Sequence, residues 1–333
     1  MSNNNNSKTR AFETVDRTPS TSRRRLVIAI FVVVMLILAA FATLVIGKIV
    51  TQINPNPNPD DGDSFTYVPK DAGDYKIGSL LFVNGEFPHM MTDFSGMVNV
   101  KTFQLNSANA DKTEINGYYT YSLSVDRIAL TSETLDALNA MMLDYCRTLD
   151  LSSANPNSAS NLTVAWGGYT QSTIDEYESD ISDIGEDFYD HILGTTITLK
   201  RHAPAEAITE GLLKNEFSWI YENAHKYGFV LRYPNDCKDH TGHDGDGRVH
   251  LRYIGVAHAT YIHEKGICLE EYLTALRTQY SSSSPLSFNA GGKHYQVYYV
   301  KYLGNPTNVP VPKDSNYTIS GDNMNGFVVT VEK

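Results

Sequence analysis

Twenty-two consecutive uncharged residues, LVIAIFVVVMLILAAFATLVIG from Leu26 to Gly47, constrain this chain more than any other feature. At 1.5 Å of rise per residue such a helix is roughly 30 Å long, the thickness of a bilayer's hydrocarbon core. A buried soluble helix is the alternative, but those helices usually keep a polar face. A cleaved signal peptide fits less well, because the run is long and no small-residue cleavage pattern closes it. The reading is a single transmembrane helix over 26–48. Lys8, Arg10, Arg17, Arg23, Arg24 and Arg25 precede it and only Lys48 follows closely. The basic excess predicts a cytoplasmic N-terminal tail (1–25, low in complexity and disordered) and an exported remainder at the cell membrane.

The charge balance agrees with that division. The 333 residues hold 27 basic and 38 acidic side chains, a net of −11. With 7 basic and 2 acidic residues through Lys48, the remainder has 20 against 36. So acidic a domain argues against nucleic acid as a partner and against direct adhesion to anionic lipid. Residues 49–66, with their repeated Asn-Pro and following acidic run, read as a solvated tether. Cys146, Cys237 and Cys268 are too few for a disulfide scaffold. One bridge is conceivable, with Cys237 and Cys268 the better pair because they flank one supersecondary unit; three free thiols are the alternative.

Past the tether the pattern is α+β, a small antiparallel sheet flanked by helices, with a C-terminal β extension. Residues 79–84 (SLLFVN) read as a strand closed by Asn84-Gly85. Thr131-Ser132 cap a helix with Leu135, Leu138, Met142, Tyr145 and Leu149 on one face. Residues 162–166 read as a strand ending at Gly167-Gly168, 206–227 as a helix terminated by Gly228, 229–233 as a strand and 268–280 as a helix. The tyrosine-rich 295–302 strand and a 316–331 hairpin form the extension. The domain reading is 67–280 for the main body and 281–333 for the extension. Trp166 and Trp219 read as core residues, and His258 and His263, five apart, as surface or packing residues.

From about residue 77 onward the chain resembles the zinc D-alanyl-D-alanine carboxypeptidases of the vancomycin-resistance (VanY-like) type. The likeness is carried by YGFVLRYP (227–234), Thr241-Gly242, HLRYIG (250–255), His258-Ala259 and LEEYL (269–273), with LLFVNGEFP and YTISGDNMNGFVVTV at the two ends. The resemblance implies the family's fold and a catalytic zinc. In the family, zinc is held by the His and Asp of S-x-H-x-x-G-x-A-x-D and the His of E-P-W-H. The Glu of the latter serves as general base for the zinc-bound water. Three ligands leave a fourth position for that water, whose pKa the metal lowers.

Transferred residue by residue, the motif is incomplete. His191, Gly194 and His250 are retained, but Thr198 stands where the ligand Asp belongs and Gly247-Arg248-Val249 replace Glu-Pro-Trp. The family's G-Y-R, whose Arg helps bind substrate, becomes Gly168-Tyr169-Thr170, leaving Tyr169 and Thr170 as the substrate-side candidates. The acidic stretch HDGDGRV offers a rescue: Asp246 as base, and His243 or Asp244 as a substitute ligand beside His191 and His250. Its alternative is a solvated surface loop. Two expectations follow. One is a membrane-anchored, wall-facing pseudoenzyme that binds peptidoglycan stem peptides or an envelope partner. The other is an active zinc D,D-carboxypeptidase trimming terminal D-Ala through Asp246. Zinc is expected in the second case and dispensable in the first.

Overall fold

The computed structural model describes residues 64–84, 86–89, 93–172, 187–241 and 247–333. The apolar run at 26–47, its flanks and residues 49–63 of the tether lie outside the described residues, as do His243, Asp244 and Asp246. The tether reading is corrected at its end, where Phe65 and Thr66 open the strand Phe65–Lys70, held by antiparallel pairing with Thr307–Pro312. Among the described residues no helix is long and apolar enough to cross a membrane.

The central sheet is built from short strands whose side chains alternate between its two faces, apart from a bulge between Val164 and Trp166. Its order is Phe229–Leu231, Val249–Tyr253, Thr196–Arg201, Leu162–Trp166 and Ser122–Leu123, with Glu206–Ala207 also pairing to Thr196–Arg201. Ile197, Leu199, Val249 and Leu251 point to one face and join a core with Leu135, Leu138, Met142 and Tyr145. Those last four come from the helix Ser132–Arg147, capped by Thr131 as its sequence predicts. The opposite face carries Thr196, Thr198, His250 and Arg252, which is where any chemistry must sit. All pairings in this sheet are antiparallel except Ser122–Leu123 with Leu162–Trp166, which is parallel, a departure from the expected wholly antiparallel sheet.

Two predicted elements differ. Residues 79–84 are not a strand, although Leu80, Leu81 and Val83 are buried. Without a ladder, most of their backbone is satisfied by side chains: Arg252 donates to the Ser79 and Leu81 carbonyls, Arg232 to that of Val83, Asn323 to that of Phe82, and Ser320 accepts from the Leu80 N–H, while the Phe82 N–H donates to the Asp322 carbonyl. A buried extended segment can thus dispense with a strand partner when arginines supply the donors. The 206–227 helix is broken into Glu210–Asn215, Ser218–Asn223 and a 3-10 turn at Ala224–Tyr227. Phe217 leaves helical geometry at the break and sinks into the core. Gly228 ends the array at φ 87°, the left-handed conformation that favours glycine.

The C-terminal strands Leu286–Ala290, Lys293–Lys301, Gly326–Glu332 and Asn316–Gly321 form a second antiparallel sheet, in that order. Val297 and Val328 face the helices Val256–Lys265 and Leu269–Gln279, while Tyr298 and Val329 face away onto Val309 and Val311. His258 stands in the first of these layers, bonded through Nδ1 to the Tyr272 hydroxyl (2.7 Å) and through Nε2 to Thr330 Oγ1 (3.0 Å). His263 instead stacks on His225 with ring centroids 3.8 Å apart.

Burial lowers the pKa of His258 from 6.5 to about 4. The neutral ring is the folded form, so its stabilisation is complete above pH 6.5 and declines as pH falls toward 4. Between pH 7 and pH 5 the expected loss is about 2 kcal/mol. His225, lowered in the same direction by burial and by His263, adds to it. Urea midpoints at the two pH values test this, and His258→Gln should flatten the difference.

Candidate functional site

Three residues lie in a row across the polar face of the central sheet. The ladder pairs His250 with Thr198, and Thr198 with Trp166 after a bulge between Val164 and Trp166. Directly opposed side chains on one face are about 5 Å apart at Cβ, close enough for a short side-chain bond. The fourth member, His191, descends from the helix Asp187–Ile192, whose exit turn is closed by Gly194 at φ 64°. Gly194 and Gly168 pack so tightly that a Cβ on Gly168 would lie 2.7 Å from the Gly194 Cα. The glycines therefore let the two loops meet beside the site.

Thr198 Oγ1 is 2.9 Å from His191 Nε2 and 3.1 Å from His250 Nδ1. The two imidazoles are buried and nearly perpendicular, with centroids 5.3 Å apart. A hydroxyl has one proton, so it donates to one ring and accepts an N–H from the other. Thr198 thus bridges the two rings. Trp166 presents its ring edge-on to His191, and Tyr233 does the same to His250. The Arg248 guanidinium stacks 4.6 Å over Trp166. Trp166 is 39% exposed, so the expectation of a core tryptophan is corrected here: the bulge turns it outward. Trp219, by contrast, is partly buried against the core and stacks on Tyr145.

Behind the histidines is a buried charge network. Asp190 accepts from Arg232 Nε (2.6 Å) and the Tyr233 hydroxyl (2.8 Å) through one oxygen and from Arg252 through the other. Arg232 also donates to Glu270 at 2.6 Å. Burial opposes ionisation of Asp190, but Arg232 and Arg252, aided by the Tyr233 hydroxyl, hold its carboxyl below the usual range. Three members adjoin the site: Asp190 precedes His191, Tyr233 abuts His250, and Arg252 follows His250 by two on the same face.

A catalytic zinc normally takes three His, Asp, Glu or Cys ligands. The described residues offer two imidazoles and a neutral hydroxyl, and Asp190 is already committed to two arginines. This donor set does not fit the three-ligand metal that the resemblance implies. Tyr169 and Thr170 lie on the segment after Gly168. Tyr169 is half-buried near Arg127, and Thr170 Oγ1 bonds Ser172 at 3.0 Å. Sequence reasoning missed the contributions of Arg248, Trp166 and Asp190. Two arginines inside apolar strands, Arg232 and Arg252, were the available signal that a buried anion had to exist.

Residues 184–256 match the VanY D-alanyl-D-alanine carboxypeptidase family. A D-alanyl-D-alanine carboxypeptidase of Enterococcus faecium is 36% identical over 139 residues, 42% of this chain and 40% of that protein. One from Enterococcus faecalis is 44% identical over 57 residues, 17% of this chain and 21% of its own length. The chain therefore spans two-fifths or less of these relatives. The solved vancomycin-resistance D,D-dipeptidase VanXYg, in complex with a D-Ala-D-Ala phosphinate analogue, aligns over 81% of this chain and 99% of its own, with a TM-score of 0.56 and 22% identity. That likeness establishes the mixed α+β fold. A vancomycin-resistance D,D-pentapeptidase VanY variant in complex with Zn(II) aligns over 59% of this chain with a TM-score of 0.36 and 21% identity.

Proposed function

We propose that this D-Ala-D-Ala carboxypeptidase-like domain binds peptidoglycan stem peptides without cleaving them, held at the cell membrane by the 26–47 segment and facing the wall. The observation that carries this reading is the Thr198 hydroxyl, which bonds both histidines where the family's pattern has a carboxylate. Two further losses act in the same direction. Gly247 has no carboxylate to serve as base, a role commonly worth about 10²–10⁴-fold in rate. Arg248 brings a cation to a place where it opposes a dication but suits the carboxylate that ends a peptide.

The test is incubation of the full chain, in mild detergent and excess zinc, with a pentapeptide ending in D-Ala-D-Ala. Saturable binding with no D-Ala release is expected, and Arg248→Ala should weaken binding by about tenfold or more. D-Ala release, or absence of binding, would overturn the reading; in the latter case an envelope protein is the remaining partner class. A second reading, an active zinc carboxypeptidase, is favoured by the convergence of His191 and His250. It would use Asp246 as base with His243 or Asp244 as the added ligand, and it requires that Asp246→Ala abolish D-Ala release.

A further inference from the structure

Away from the histidine site, Cys237, Cys268 and Glu271 bring two thiols and a carboxylate within 4.8 Å of one another. Cys237 closes the 3-10 turn Asn235–Cys237 and directly precedes the helix Lys238–Thr241, and Cys268 caps Leu269–Gln279. Both are buried free thiols, so the bridge considered from sequence is not formed, although the two residues do meet. Cys237 Sγ is 3.5 Å from Glu271 Oε2, and His240 Nε2 reaches Glu271 Oε1 at 3.3 Å from the solvent side. We propose that Cys237, Cys268, Glu271 and His240 form a structural zinc site, separate from the family's catalytic position.

Three observations converge on it. The spacing is Cys-x2-His (237, 240) and Cys-x2-Glu (268, 271), so each half supplies two donors one helical turn apart, as structural zinc sites do. For three of the donors the separations fit as well: bonds of about 2.0–2.3 Å give tetrahedral edges of about 3.3–3.8 Å, and both thiols and a Glu271 oxygen already lie within 4.8 Å of one another, with Cys237 Sγ 3.5 Å from Oε2. His240 meets the other oxygen, Oε1, and swings in to become the fourth ligand. The donors are also the right kind, because two sulfurs with one nitrogen and one oxygen select zinc over magnesium or calcium.

The chemistry of the thiols is consistent. Cys268 sits at the N-terminus of an eleven-residue helix, whose dipole favours a thiolate. Zinc uptake by thiols releases their protons, so binding would weaken at low pH. The site would tie the segment after the Phe229–Leu231 strand to the Leu269–Gln279 helix. Glu270, beside it, already holds Arg232 of the buried network.

Cobalt(II) is the probe, because only a thiolate site gives a near-ultraviolet sulfur-to-cobalt charge-transfer band. The full chain is reduced, freed of metal and titrated in mild detergent. One cobalt per chain with that band is expected, displaced by zinc, unchanged in His191→Ala and lost in Cys237→Ser and Cys268→Ser. His240→Ala, at an exposed position, should weaken zinc by at least about tenfold while the far-ultraviolet spectrum stays the same. The proposal is overturned by absence of the band at saturating cobalt with both thiols titrating as free, by a band that survives Cys268→Ser, or by zinc affinity unmoved in His240→Ala. Formation of a Cys237–Cys268 disulfide that excludes metal under mild reductant would overturn it equally.

Discussion

Asp190→Asn should destabilise the folded domain by about 3–5 kcal/mol, the cost of removing one partner from a fully buried ion pair. Asp190, Arg232 and Arg252 are each 1% exposed or less. Neutralising the carboxylate leaves Arg252 with only carbonyl acceptors and Arg232 with Glu270 as its one charged partner beside the Val83 carbonyl. Urea denaturation followed by circular dichroism checks the magnitude. A change below about 1 kcal/mol would show that water or the carbonyls compensate for the lost charge. The sign with pH follows from the depressed carboxyl. Asp190's contribution is complete above the usual carboxylate range near 4 and is lost as pH falls through its lower folded value. The wild-type chain should therefore lose stability further on acidification below pH 4, after the His258 contribution has gone, and Asp190→Asn should remove that second phase. Because Tyr233 and His191 lean on the same network, peptide binding should fall with stability.

How much of this was legible in advance depends on whether local pattern or distant partners decide an element. The Ser132–Arg147 helix was readable because its cap and its apolar spacing are both local. The Val249–Tyr253 strand went unread, although Val249 and Leu251 alternate with His250 and Arg252. Residues 79–84 have the same apolar look, but what satisfies their backbone is Arg232 and Arg252, some 150 residues away, and no window on the sequence contains both. Trp166 shows a second limit. Composition makes a tryptophan at a strand end look like core, whereas a one-residue bulge decides which side it faces. Of the candidate site, the motif reading found His191, Thr198 and His250, and the sheet register then joined them. That same reading could not weigh Arg248, because its meaning comes from lying on Trp166 across the sheet. The cysteine cluster stayed half-seen for a related reason: pairing arithmetic considers Cys237 and Cys268, while Glu271 and His240 enter only through helix geometry.

Thr198→Asp should add one zinc per chain over the parent protein and raise affinity at the histidine site by about 100-fold or more. Even an outer-shell partner of a metal commonly contributes 10–100-fold, and a first-shell carboxylate should not contribute less. The register supports the change: position 198 lies directly opposite His250, and its side chain already reaches Nε2 of one ring and Nδ1 of the other. Zinc content by metal analysis, compared with the same substitution in His191→Ala, isolates this site from the cysteine cluster. The gain in metal should not by itself restore catalysis, because the base is still missing. Gly247 is the position three residues before His250 where the family has its Glu. A Cβ there would meet nothing within 4 Å, but φ is +76°, so Gly247→Glu is sterically open and conformationally strained by about 1–3 kcal/mol. The combined Thr198→Asp, Gly247→Glu variant should release D-Ala from the pentapeptide at a rate at least 10²-fold above Thr198→Asp alone, the lower bound for a positioned general base. Zinc uptake without that release would place the remaining defect on the substrate side, at Thr170 in place of the family's arginine. Failure of Thr198→Asp to take up zinc would mean that Arg248, stacked on Trp166 beside His191, repels the metal more strongly than one carboxylate attracts it.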